Sequence, residues 1–275
     1  MKQIKMIGLD LDGTLLNEQK QLTEYTKNVL ARAIEKGIVV LVATGRPVTG
    51  VPRELLDFPG MRYVLTSNGG RILDMQEQKI LYENPVPYGL AAEILEISED
   101  YDTLKEIYFD GQGYVRESEL ARVREFLPNP AMADYVLHTR KGIGDIWEKM
   151  EEMKGHGLDK VHLLFRDEEE RKSARKRILG LGELSVSASL GRNLEINAPG
   201  VNKGKGLLKL GEFLGIRKEE IMACGDGDND LSMIEAAGLG VAMENADDEV
   251  RQAADYITCS NNEDGVAKAI EKFAL

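Results

Sequence analysis

The sequence predicts an α/β protein: a mainly parallel sheet with helices on both faces, interrupted by an inserted α+β domain. Three observations carry this. Short apolar, β-branched runs alternate with amphipathic helical stretches at both ends of the chain, the texture changes in the middle third, and the strand runs end abruptly in polar residues. The first strand is Ile4–Leu9, followed by a helix near Thr23–Lys36, a strand at Ile38–Ala43 and a helix near Val48–Leu56. A βαβα beginning of this kind implies right-handed crossovers and a sheet buried on both faces, the Rossmann-like arrangement. A strand at Tyr63–Thr66 and the turn Ser67-Asn68-Gly69-Gly70 close this section.

The middle of the chain reads differently. Strands at Glu106–Phe109 and Gly113–Arg116 flank Asp110-Gly111-Gln112, a hairpin signal, and further strands are expected at Val161–Phe165, Ser185–Ser189 and Asn193–Ile196. Helices are expected near Gly89–Ile97, Glu119–Phe126, Asp145–Met153 and Glu168–Leu179. From Lys205 the first texture returns: a helix near Gly206–Phe213, a strand at Ile221–Cys224, a helix near Leu231–Ala237, then Gly240–Met243, Val250–Ala254 and Tyr256–Ile257. The division expected is a discontinuous core of residues 1–84 and 197–275 around an inserted domain of residues 85–196.

Composition bounds the function without naming it. The net charge of −12 over 275 residues argues against a protein that grips nucleic acid or an anionic membrane, but leaves room for a small anionic substrate. No run is long enough for a membrane span, and Met1-Lys2-Gln3-Ile4 leads into a strand without an apolar leader, so a cytoplasmic location is expected. The two cysteines, Cys224 and Cys259, are too few for a disulfide framework and are expected to be buried, reduced thiols. The basic cluster Arg171–Arg177 lies on an expected helix behind a run of acids and reads as a solvated face.

Chemistry concentrates where strands end. Asp10-Leu11-Asp12-Gly13-Thr14 terminates the first strand with two carboxylates and a glycine, and ligands in open parallel sheets bind at that edge. The alternative is an ordinary Asp-Gly turn. Ala43-Thr44-Gly45-Arg46 places a hydroxyl, a glycine and a guanidinium after the second strand, suited to phosphate oxygens or to capping the next helix. Gly225-Asp226-Gly227-Asp228-Asn229-Asp230 follows another strand and suits an oxygen-preferring cation. It lacks the terminal Glu and the flanking helices of a calcium-binding loop. Asn202-Lys203-Gly204 lies where the chain re-enters the core.

In this order, the motifs DxDGT, TGR, NKG and GDGxND resemble those of the haloacid dehalogenase-like superfamily, in particular the Cof-type phosphatases. The likeness spans the chain in layout and is sharp at residues 4–16, 41–47, 66–70 and 202–247. It implies a phosphatase acting on small phosphorylated metabolites such as sugar phosphates, with Mg²⁺ as cofactor. By that resemblance Asp10 is the nucleophile that forms an aspartyl-phosphate and Asp12 the general acid and base. Asp10, Asp226 and the Asp12 carbonyl hold the metal. Leu11, Thr44, Gly45, Lys203 and Asn229 receive the phosphate, and Asp230 orients Lys203 or the metal's waters. Arg46 and Asp228 receive no role. The same resemblance leaves open a phosphomutase, which shares the intermediate, or a regulatory protein that keeps the metal site without turnover. In the inserted domain, which in such proteins sets the substrate, Tyr108, Tyr114, His138, His162, Arg166 and Arg192 are the side chains that either face a ligand or pack in the domain.

Overall fold

The computed structural model describes residues 3–188 and 192–275, which fall into two compact units. The first unit comprises the chain up to Gly45, Val51–Tyr82 and Asn202–Leu275; the second comprises Arg46–Gly50 and Glu83–Val201. The segment Arg46–Gly50 goes with the second unit because Arg46 and Thr49 are bonded within it: the Arg46 guanidinium lies 4.1 Å from the Tyr135 ring centroid, and the Thr49 hydroxyl donates to the Gly111 carbonyl at 2.8 Å.

The first unit is built on a sheet of strands β1 (Met6–Leu9), β2 (Val39–Ala43), β3 (Tyr63–Thr66), β4 (Arg71–Asp74), β5 (Lys79–Glu83), β12 (Ile221–Gly225), β13 (Leu239–Ala242) and β14 (Tyr256–Ile257). Their order across the sheet is β14-β13-β12-β1-β2-β3-β4-β5, parallel from β14 to β3, with β3 and β4 an antiparallel hairpin. Side chains alternate between faces, as strand geometry requires. Ile7, Leu9, Val40, Val42, Met222 and Cys224 pack with α1 (Glu24–Glu35) and α12 (Gly265–Phe273), while Met6, Leu41, Ala43, Ile221 and Ala223 pack with α9 (Lys203–Leu214) and α10 (Leu231–Ala236). Both faces are therefore covered, which is why these strands read as continuous apolar runs.

The chain runs outward in one direction from β1 to β2 and β3, and in the other from β12 to β13 and β14. The register pairs Leu9 with Cys224 on one side and with Val42 on the other. Thus Asp10, Asp226 and Thr44 emerge from the carboxyl ends of three adjacent strands at the point where strand order reverses, the place where such sheets leave a crevice.

The second unit carries a sheet of order β10-β11-β9-β6-β7-β8: β6 (Thr103–Phe109), β7 (Gln112–Arg116), β8 (Arg140–Ile143), β9 (Lys160–Phe165), β10 (Ser185–Ser187) and β11 (Asn193–Asn197). One face, including Ile107, Val161, Leu163, Phe165 and Leu194, is apolar and packs with α3 (Tyr88–Ser98) and α8 (Glu168–Leu179). The expected strand at Ser185–Ser189 ends at Ser187; its last residue, Ser189, lies outside the described residues.

Two expected helices are interrupted. Val48–Leu56 is a 3₁₀ turn at Val48–Gly50 and a short helix at Arg53–Leu56, because Pro52 has no N–H to donate and disfavours helix at the residue before it. Glu119–Phe126 is two single turns, Glu117–Leu120 and Val123–Phe126. The hairpin β4–β5, the helix Pro130–Thr139 with β8 after it, and the C-terminal α12 are absent from the sequence reading. Cys224 is buried, but Cys259 is only partly so, and both are free thiols. Burial pushes the Cys224 thiol well above its ordinary range, which keeps it an inert core residue. Among the described residues, no helix is long and apolar enough to cross a membrane.

Candidate active site

The site begins with Asp10, the residue after β1, whose N–H still bonds the Cys224 carbonyl at 3.0 Å and so extends the parallel ladder by one residue. The chain then turns back, the Leu15 N–H reaching the Asp10 carbonyl at 3.2 Å and that of Leu16 the Leu11 carbonyl at 2.9 Å. Gly13 makes this return possible. Its φ is +85°, and a Cβ there would stand 2.2 Å from Asp226 Oδ2, so both conformation and space demand glycine. Next along the turn, the Thr14 hydroxyl donates to Asp226 Oδ1 at 2.6 Å, tying the β1 loop to the β12 loop.

Lys203 is the first residue of α9, which Asn202 caps by accepting the Lys205 N–H at 2.8 Å. The lysine is wholly buried, and its ammonium bonds Asp10 Oδ1 at 2.6 Å and Asp230 Oδ1 at 2.5 Å. Burial works against its charge, but Asp10 and Asp230 more than offset this and raise its pKa above the usual lysine range. The other oxygen of Asp230 accepts the N–H groups of Asp226 at 2.9 Å and Gly227 at 3.1 Å. Asp230 therefore holds both the lysine and the Asp226 turn.

Asp10, Asp226 and Asp230 each place a carboxylate oxygen within 4.8 Å of the others. Three acids so close, with one ammonium between them, cannot all ionise at ordinary cost. Burial, then Asp230, push the Asp10 carboxyl well up against the pull of Lys203. Asp226 is pushed up to about 7 by burial and Asp230, with the Thr14 hydroxyl opposing. Hard oxygen donors with surplus negative charge form a set that fits a divalent cation. With both Asp230 oxygens engaged by the protein, Asp10 and Asp226 are the side chains best suited to ligate it.

The remaining motif residues surround this cluster. Thr44 is buried at the end of β2, its N–H on the Leu65 carbonyl at 2.8 Å, and Gly45 follows it. Leu11 is buried in the turn after Asp10. Asn229 lies in the turn before α10 and donates its Nδ2 to Asn68 Oδ1 at 3.1 Å. Asp12 is partly exposed and pairs with Lys20 at 2.6 Å; its side chain stands outside the group of three acids. Asp228 is exposed, and Arg46 bonds the Gly50 carbonyl at 2.7 Å within the second unit. Thr14, Lys20 and Asn68 carry no assignment from sequence. Thr14 was within sight, inside the DxDGT motif, whereas the Asn68–Asn229 bond joins residues 161 positions apart and has no local signal.

In the second unit, Tyr108 and His162 are buried beside Glu106, His162 Nδ1 lying 3.2 Å from Glu106 Oε2. Arg166 pairs with Asp102 and Glu125, and Arg192 donates to the Arg166 carbonyl at 2.8 Å. Tyr114 lies beneath the Lys149 ammonium, 4.8 Å from its ring centroid, and exposed His138 bonds the Asp134 carbonyl of its own helix at 2.6 Å.

The chain is similar to known proteins along almost its whole length. A family model described as haloacid dehalogenase-like hydrolase matches residues 7–270. The chain is 32% identical over 279 residues to the 5-amino-6-(5-phospho-D-ribitylamino)uracil phosphatase YcsE of Bacillus subtilis, covering 99% of this chain and 96% of that protein. It is likewise 32% identical over 275 residues to the putative phosphatase YxeH of the same organism, with 98% of each chain covered. A solved haloacid dehalogenase-like hydrolase from B. subtilis superposes with a TM-score of 0.86 at 30% identity, covering 99% of this chain and 100% of that one. The chain belongs to the haloacid dehalogenase-like hydrolases. Within that family it stands with the phosphatases, and it is an enzyme of that kind.

Proposed function

We propose that this enzyme hydrolyses small phosphate monoesters, sugar phosphates or metabolites of similar size, through an aspartyl-phosphate on Asp10 with Mg²⁺ as cofactor. The observation that carries the reading is the Asp10 carboxylate at the strand-order reversal, gripped by buried Lys203 and facing Asp226. Asp10, Asp226 and the Asp12 carbonyl hold the cation, which supplies charge neutralisation between the carboxylates and the phosphate dianion.

An Asp10 carboxylate oxygen attacks phosphorus as the ester P–O bond breaks, and Asp12 gives its proton to the departing alkoxide. Water then attacks the same phosphorus, Asp12 takes the proton, and inorganic phosphate leaves with the Asp10 carboxylate restored. Lys203, the Thr44 hydroxyl, the Gly45 and Leu11 amides and Asn229 meet the equatorial oxygens, whose charge they stabilise. Asp230 holds Lys203 in place. One of the relatives is named for a phosphoribityl substrate, which agrees with a compact polyhydroxylated monoester.

The test is phosphate release from a panel of monoesters, with Mg²⁺ and with chelator, for the wild type beside Asp10→Asn. The expected outcome is metal-dependent release that falls by at least about a thousandfold in the folded variant. Activity that survives in Asp10→Asn contradicts the nucleophile assignment.

A further inference from the structure

The turn Ser67–Gly70, which joins β3 to β4, carries no assigned role. Three successive residues in it have positive φ: Ser67 at 51°, Asn68 at 57° and Gly69 at 93°. Glycine and, to a lesser degree, asparagine adopt the left-handed region without much strain; a serine there costs energy and is uncommon. All three residues are buried.

The left-handed path brings the turn against three other segments at once. The Asn68 N–H donates to the Thr44 carbonyl at 3.1 Å. Its side-chain Oδ1 accepts Asn229 Nδ2 at 3.1 Å. A Cβ on Gly69 would stand 2.3 Å from the Asn202 carbonyl, immediately before Lys203, so the backbones meet closely there. These are the segments that carry Thr44, Asn229 and Lys203.

From this convergence we propose that Asn68 is a positioning residue for phosphate, acting through Asn229; the inference rests on the phosphatase reading above. A carboxamide is planar. Once one N–H of Asn229 is fixed on Asn68, the direction of its second N–H is fixed as well, and that donor meets a phosphoryl oxygen. The bond to the Thr44 carbonyl sets the second loop relative to the first, and donors to a phosphoryl group must be held to within about half an ångström to be effective.

The experiment measures orthophosphate affinity by calorimetry on the Mg²⁺-loaded full chain, together with p-nitrophenyl phosphate turnover, for wild type, Asn68→Gly, Asn229→Ala and the double variant. Glycine keeps the left-handed backbone, so Asn68→Gly preserves the turn and removes only the carboxamide. Each single variant is expected to weaken phosphate binding about tenfold, and the double variant no further, because both substitutions remove one unit. Wild-type affinity in Asn68→Gly, losses that multiply in the double variant, or no phosphate binding by wild type each overturns the proposal. If the affinity pattern holds but wild type releases no phosphate from any ester, the phosphatase reading fails and the positioning role stands.

Discussion

Both units bury ionisable side chains, and they do so with opposite electrostatics. In the second unit, Glu106 Oε2 accepts from Arg140 Nε at 2.9 Å, the Tyr108 hydroxyl donates to the same oxygen, and His162 stands beside it. Lys160 and Glu195 pair at 2.7 Å nearby. Burial alone would raise the Glu106 carboxyl, but Arg140 and His162 overcome it and hold the group well below the usual carboxylate range. In the first unit, three acids share one lysine, and the Asp10 and Asp226 carboxyls are pushed up instead. The second unit's buried charges pair off within the unit. In the first unit the acids outnumber their lysine at the carboxyl edge of a parallel sheet, a surplus that a divalent cation would relieve.

The contrast has measurable consequences. Arg140→Met leaves Glu106 buried without its cation and should destabilise the second unit by about 3–5 kcal/mol, read by urea denaturation. A loss near zero would remove the contrast. In the first unit, removing a charge should have the opposite sign: in chelator at pH 8, Asp226→Asn is expected to stabilise the protein by about 2 kcal/mol, and in Mg²⁺ the same variant is expected to abolish turnover.

The pH dependence follows from the same group. Between the ordinary carboxyl range and about 7, the folded state keeps a proton on Asp226 that the unfolded chain has released. The stabilisation is therefore full below about pH 4 and is lost as pH rises towards 7. Metal-free protein should lose melting temperature over that interval, the gain from Asp226→Asn should vanish at pH 4, and added Mg²⁺ should stabilise more at pH 8 than at pH 5.

Smaller effects refine the picture. Gly13→Ala, which sets a methyl against Asp226 and strains a backbone at φ +85°, should cost about 1–3 kcal/mol in thermal unfolding and reduce turnover. Lys20→Met should change stability by no more than about 0.5 kcal/mol, because both side chains of the Lys20–Asp12 pair are about a third exposed to solvent.

The core was legible in sequence because its strands are buried on both faces and its polar motifs follow those strands directly. Asp10, Thr44 and Asp226 could be placed at strand ends because each directly follows an apolar run, and the strand order then brings those ends together. Other elements carry local signals of their own. Asn129 caps the helix Pro130–Thr139 with proline at its first position, and α12 buries Val266, Ala267, Ala269 and Ile270 along one stripe. The β4–β5 hairpin gave less to read, since β5 is half exposed and lacks a clean alternation. The links within the site have no local signal: the Thr14–Asp226 bond joins residues 212 apart, and the pairing of Asp230 with Lys203, 27 positions away, was implied by the family resemblance and not by spacing.

The proposed mechanism requires Asp10 to carry the phosphoryl group between the two displacements. Acid quench of wild type during steady-state turnover, followed by peptide mass spectrometry, tests it directly. The expected result is a phosphoryl group on the peptide containing Asp10 that survives a brief cold acid quench, is released by alkali or hydroxylamine, maps to that residue and is absent in Asp10→Asn. Phosphate found on another side chain, or wild-type turnover in the Asp10→Asn variant, would contradict it.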